Sequence, residues 1–136
     1  MFLKKIFLII FIICSSKVYS ASWIEGNKVI IQGLDKITAR IETFEIFVGQ
    51  SYKFGVLDIF VKRCVFSKPI DKPESLAFLK INDNSDRLSE VKFRGWMFAS
   101  SPALSALQDS VYDISILACM NDDKFSNKSS SVNSFE

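Results

Sequence analysis

Residues equipped for chemistry are few in this chain. Histidine is absent from all 136 positions, which removes Ser-His-Asp and Cys-His nucleophilic catalysis and the commonest ligand of catalytic zinc and copper. Cys64 and Cys119 lie too far apart to form a Cys-x-x-Cys redox centre. No Gly-rich phosphate loop follows a strand and opens a helix. Asp58, Glu74, Asp83, Asp86, Glu90, Asp109 and Asp113 could in principle supply the paired carboxylates of glycoside hydrolysis, but their spacing singles out no pair. The plainer reading is solvated charge on strands and loops. The run Asn82-Asp83-Asn84-Ser85-Asp86 offers oxygen atoms at alternate positions, as calcium prefers. It lacks the glycine and distal glutamate of an EF-hand, so a turn explains it better. Ser100 and Ser101 stand in no Ser-x-x-Lys spacing. We expect no catalytic residue, no metal ligand and no cofactor.

One cluster remains that could bind. Trp96, Met97 and Phe98 follow Phe93 and Gly95 closely, and aromatic and Met side chains are favoured anchors at contact surfaces. The competing reading is that they are core, and Trp96 is the member expected nearest the surface.

The elements that must position these residues read as strands. From Lys28 apolar and polar residues alternate with period two, which places one set in a core and the other in water. Val29 and Ile31, then Ile37, Ala39 and Ile41, then Phe44, Ile46 and Val48 mark successive inward sets, with a change of phase at Thr43 that suggests a bulge. Gly33-Leu34-Asp35 and Gly49-Gln50-Ser51 carry turn chemistry. Tyr52 and Phe54 precede a break at Gly55. Leu57, Ile59, Val61 and Arg63 then alternate with Asp58, Phe60, Lys62 and Cys64. Pro69 and Pro73 mark an exposed loop over 67–75. Ala77, Leu79 and Ile81 form the next inward face, Asn82 to Asp86 turns the chain, and Val91 and Phe93 resume. Several short strands at close spacing predict an antiparallel sandwich or small barrel. One short helix interrupts it near 102–108, with Ser101 as cap, Pro102 at its first position and Leu104 and Leu107 on one side. It is expected to plug one end of the sandwich. Tyr112, Ile114, Ile116 and Ala118 share a face of the last strand. Tyr112 and Asp113 are expected to lock the preceding loop through its backbone.

The chain opens with Met1-Phe2-Leu3-Lys4-Lys5, an apolar run from Ile6 to Cys14, and a small polar stretch to Ser20. This is the layout of a secretory signal peptide cut between Ser20 and Ala21. Its apolar run is too short to span a bilayer, which takes about 20 residues. The expected organisation is a signal peptide over 1–20, a lead-in over 21–27, a β domain over 28–120 and a polar, disordered tail over 121–136. Cleavage removes Lys4, Lys5 and Lys17 and takes the balance from 17 basic against 15 acidic residues to 14 against 15, a net of −1. No basic footprint is left to indicate a nucleic-acid partner. Two cysteines in an exported chain favour a disulfide; the alternative is two buried thiols that never meet.

The run from Phe93 through Gly95-Trp96-Met97-Phe98 to Leu107, with Val111-Tyr112-Asp113-Ile114 and Cys119 behind it, resembles the signature of domain-of-unknown-function family 2155, small exported and chiefly alphaproteobacterial proteins. Gly33 to Thr38, and Phe54-Gly55 followed by Leu57, Ile59 and Cys64, agree with it, so the resemblance covers about residues 29–119. It implies an exported, periplasmic protein in which Cys64 and Cys119 are paired, and it brings no activity, cofactor or catalytic residue to transfer. The chain departs from the family pattern at Asp109-Ser110, where members usually carry histidine and proline, and at Ser115, where they tend to have tryptophan. Any family chemistry that needed that histidine is closed to this protein.

The expected function is therefore a non-catalytic periplasmic domain that binds another cell-envelope component, most simply a protein. The alternatives are a carboxylate-based hydrolase of envelope glycan or peptidoglycan, and a carbohydrate-binding module. The mature chain carries no membrane span. If the cysteines are paired, the bridge closes a loop of roughly 55 residues and restricts the unfolded chain by about 4 kcal/mol. Mass spectrometry of protein alkylated without reductant should then find Cys64 and Cys119 unmodified. Two alkylated thiols would contradict the pairing.

Overall fold

The computed structural model describes residues 1–6 and 22–123. The apolar run and the Ser20–Ala21 cleavage position of the expected signal peptide, and most of the polar tail, lie outside the described residues. The described part holds strands β1 (Trp23–Gly26), β2 (Lys28–Asp35), β3 (Arg40–Phe47), β4 (Ser51–Phe54), β5 (Leu57–Ser67), β6 (Ser75–Asp83), β7 (Glu90–Phe98), β8 (Leu107–Gln108) and β9 (Tyr112–Met120). They form two antiparallel sheets. One runs β1-β5-β6-β7, with β4 also pairing β5; the other runs β3-β2-β9-β8. Because β1 pairs residues 64–67 of β5 and β4 pairs residues 57–60, the two short strands share the edge of β5 opposite β6. The sheets face each other as a sandwich and do not close into a barrel. Among the described residues no helix is long and apolar enough to cross a membrane.

The core comes from alternate residues of both sheets. Val29, Ile31, Phe44, Ile46, Ile114 and Ile116 from one sheet meet Leu57, Ile59, Val61, Ala77, Leu79, Ile81 and Met97 from the other. The period-two reading holds for these positions except Met97, which the sequence places at the surface, and it fails where the backbone departs from a plain strand. The first hairpin turns at 36–39, not at Gly33, so Ile37 and Ile41 are exposed and no register shift occurs at Thr43. The Asp35 carboxylate fixes this turn by accepting hydrogen bonds from the amides of Ile37 and Thr38 at 2.9 and 3.2 Å. Gly33 lies inside β2 because a Cβ there would stand 2.8 Å from the Phe54 ring; its role is close approach, not turning.

Simple alternation misphases both cysteines. The pairing of β5 with β6 slips one residue between Val61 and Arg63, which turns Arg63 outward and Cys64 into the core. The pairing of β2 with β9 slips where Ile30 faces Ala118 and Ile31 faces Ile116, which leaves Leu117 exposed and buries Cys119. Each bulge reverses the facing of the residues beyond it. The two inward sulfurs are bonded, with their Cα atoms 6.0 Å apart.

The chain crosses from one sheet to the other beside this bond. β1 lies in the stretch read as a lead-in; its backbone finds partners on β5, Gly26 opposite Cys64. Two residues later Lys28 pairs Met120 and Phe47 in the other sheet. A Cβ on Gly26 would come closer than 3.0 Å to both sulfurs, so only glycine lets the crossing strand pass. Asn27, between them, exchanges hydrogen bonds with the backbone of Asp122 at 3.0 and 2.8 Å. The Lys28 ammonium lies 3.1 Å from Glu45 and 3.2 Å from Asp122, and these carboxylates, Glu45 first, hold its pKa above the ordinary lysine value.

The helix is shorter than expected, Pro102–Ser105, and contains no buried residue. Pro102 opens it, but the Ser101 side chain makes no cap bond. Leu104 is exposed, while Leu107 leaves the helix to pair Ile114 from β8 and is buried. The helix therefore leans on β7 without plugging the core. The Asp109 amide donates to the Tyr112 carbonyl at 2.9 Å, which ties that loop back through backbone, while Asp113 pairs Lys36 and bonds no loop backbone group among the described residues.

The crossing gives a direct test. Gly26→Ala should cost about 1–3 kcal/mol by overpacking in urea denaturation of the disulfide-bonded protein. In a Cys64→Ala/Cys119→Ala background, itself about 2–5 kcal/mol less stable, the same change should cost far less because the sulfurs are gone. Equal costs in both backgrounds would contradict the seating of Gly26 on the disulfide.

Candidate functional site

Strand pleating sends alternate side chains of β1, β5, β6 and β7 to the outer face of the five-stranded sheet. Since Cys64, Ala77, Leu79 and Met97 point inward, Val65, Leu76, Phe78, Trp96 and Phe98 point outward, joined by Trp23 from β1. The register aligns them. Val65 lies opposite Leu76, and Leu76 opposite Phe98; Arg63 lies opposite Phe78, and Phe78 opposite Trp96. Trp23, Arg63, Val65, Leu76, Trp96 and Phe98 line a groove of about 350 Å³. A second depression of about 330 Å³ beside it is lined by Lys62, Arg63, Phe78 and Trp96. Both tryptophans of the chain are in the first groove.

Three contacts set its shape. The Phe78 and Trp96 rings meet edge to face with centroids 5.6 Å apart and an interplanar angle of 85°, so they offer no coplanar platform. The Arg63 guanidinium is bonded to Glu25 across the β1–β5 pair, which holds the Glu25 carboxyl below its ordinary range. The Phe98 amide donates to the Ser105 hydroxyl at 3.2 Å, which ties the strand end to the short helix. Trp23 is 44% exposed and Phe98 37%, with Val65 buried beneath them outside the main core cluster.

Of the three expected surface residues, Trp96 is half-buried on this face and Phe98 is exposed on it, but Met97 is 1% exposed and belongs to the core. Consecutive strand residues cannot share a face, and Met97 faces the other sheet. Trp23, Arg63, Val65, Leu76 and Phe78 were not singled out from sequence. The available signal was the outward register 76, 78, 80 against 94, 96, 98, which holds apolar and cationic residues where solvent-facing positions are usually polar throughout.

Among the described residues, three of the carboxylates named from the sequence come together. The Lys92 ammonium lies 3.2 Å from Glu90, 3.9 Å from Asp83 and 4.0 Å from Asp109. The arrangement is a poor acid–base pair. The Ser85 amide lowers the pKa of Asp83, and the Val111 amide lowers that of Asp109, whereas a general acid needs one carboxyl raised. Asp83 uses its carboxylate within the turn, accepting from the Ser85 amide at 2.8 Å. Asp113 pairs Lys36 at 2.7 Å. Among the described residues no group of three or more His, Cys, Asp or Glu is placed to hold a metal ion.

The serines are engaged in a clasp. The Ser100 hydroxyl donates to the Glu74 carboxylate, which also accepts from the Ser100 amide at 3.1 Å and from the Ser75 amide at 2.9 Å. Burial pushes the Glu74 carboxyl upward, but the Ser100 hydroxyl, the Ser100 amide and the Ser75 amide together outweigh it, and the net shift is down. A carboxyl lowered on folding stabilises the fold above its unfolded pKa, and that contribution disappears as pH falls through the lowered folded value. Glu74→Gln should therefore lower stability at neutral pH and match the parent in strong acid. Denaturant midpoints across pH will check this; a pH-independent difference would contradict it.

The family model described as an uncharacterized protein conserved in bacteria, DUF2155, matches residues 29–119. The chain is 29% identical over 105 residues to the uncharacterized protein RP359 of Rickettsia prowazekii (strain Madrid E), covering 75% of this chain. It spans 66% of that relative's length. No solved structure matches it. The matched region runs from the second residue of β2 to the last but one of β9 and takes in both bonded cysteines, and the chain belongs to the DUF2155 family.

Proposed function

We propose that this protein is an exported, periplasmic, non-catalytic domain that binds another protein of the cell envelope through the outer face of its five-stranded sheet. The observation that carries this reading is the groove lined by both tryptophans and Phe98. Recessed aromatic side chains desolvate readily and dominate binding energy at interfaces. Several residues with covalent or acid–base potential have structural employment instead. The cysteines are bonded to each other, Ser100 is bonded to Glu74, and Asp83 and Asp109 beside Lys92 have lowered pKa values. Secretory export through the N-terminal segment fits a domain held by a disulfide. A glycan platform is less favoured, because Trp96 stands perpendicular to Phe78 and the groove's charged member, Arg63, is already bonded to Glu25.

The test is site-specific photocrosslinking in intact cells. A crosslinker at Phe98 should capture a discrete envelope protein, and Trp96→Ala should abolish the capture while the variant remains folded. A crosslinker at Thr43, exposed on the opposite sheet, should capture nothing. Capture that is indifferent to Trp96→Ala would overturn the reading, as would turnover of an envelope glycan by the purified protein.

A further inference from the structure

The outer face carries a second feature beside its aromatic groove. Lys80 on β6 lies directly opposite Arg94 on β7. Both are exposed, and both point outward because their neighbours Leu79 and Phe93 pack on the core. Like charges directly opposed on a sheet oppose folding. Neither cation forms an ion pair: those among the described residues leave out Lys62, Lys80 and Arg94. Lys62 sits over the Phe78 ring, 5.7 Å from its centroid, instead of meeting an acid. Next along the same face comes Arg63, whose partner Glu25 is the one acid bonded there. A row of cations therefore borders the apolar groove on a chain whose mature net charge is close to zero.

From this juxtaposition we propose that the groove receives an acidic polypeptide segment: one apolar side chain seated among Trp23, Leu76, Trp96 and Phe98, with flanking Asp or Glu carboxylates over Lys62, Lys80 and Arg94. The proposal rests on the binding reading above and names the chemistry of the partner. Charge complementarity selects acid, since opposed cations without counter-charges gain most from an anionic ligand. The concave, aromatic lining selects a side-chain anchor. A sugar would meet few hydrogen-bonding groups there. A membrane surface is the other occupant, which the vesicle arm of the test addresses.

Both tryptophans line this groove, so intrinsic fluorescence of the full protein reports on it directly. Titration with a synthetic peptide carrying one Phe between Asp and Glu residues should shift the emission saturably, with affinity falling as salt rises. A peptide of the same Phe flanked by Lys should bind at least about tenfold more weakly. Lys80→Glu should weaken the acidic peptide by about tenfold or more and at the same time raise the denaturation midpoint, because it replaces an opposed like pair by an ion pair with Arg94. A purely structural lysine would not give that opposite pair of signs. Equal binding of both peptides would overturn the acidic preference while leaving the groove as a binding site. A response to vesicles of anionic phospholipid but to neither peptide would overturn the proposal in favour of a membrane surface. No response to any probe, with Phe98 crosslinks still formed in cells, would also overturn it and leave the binding reading intact.

Discussion

Everything distinctive in this fold hangs on the bond between Cys64 and Cys119. A plain strand would have pointed each cysteine away from the other. One extra residue in β5 and one in β9 reverse their facing, and the two sulfurs meet between the sheets. The same junction is where the chain leaves one sheet for the other, over a glycine with no room for a side chain. The polar layer of Asn27, Lys28, Glu45 and Asp122 closes over it. A small domain with a modest core gains much from a cross-link there, since the bridge joins two strands that belong to different sheets.

The consequence reaches the opposite side of the sheet. β1 is only four residues long, and it is held to β5 at the residues on and beyond Cys64. It brings Trp23 to the groove and Glu25 to Arg63. The disulfide thus sets the inner packing, and through β1 it also completes the outer aromatic face. The aromatic face and the cross-link are two sides of one strand pair, so a substitution that disturbs the junction will reach the groove without touching it.

Much of the architecture was legible in the sequence. The alternations at 29–31, 44–46, 57–61, 77–81 and 114–116 placed the core correctly, because buried strand faces impose period two on their side chains. What escaped notice has several physical causes. Bulges insert a residue without any composition signal, so Arg63 read as inward and Cys64 as outward when the reverse is true. Gly33 read as a turn because glycine serves turning and close approach alike, and only the Phe54 ring opposite distinguishes them. Leu104 and Leu107 read as one helical face, but Leu107 gains more by pairing Ile114 than by extending a helix with no buried residue. At the site, adjacency in sequence suggested Trp96, Met97 and Phe98 as one patch. Pleating gives Met97 to the core and assembles the patch from strands distant in sequence, which no local pattern announces.

Hydrogen–deuterium exchange of the oxidised and reduced protein tests this coupling most directly. With the disulfide intact, the amides of 23–26 and 64–67 should be protected together. On reduction we expect protection over 23–26 to be lost first, while the ladder between β6 and β7 holds. Unchanged protection of 23–26 after reduction, or a uniform loss across both sheets, would contradict the view that the Cys64–Cys119 bond holds β1, and with it the aromatic face, in place.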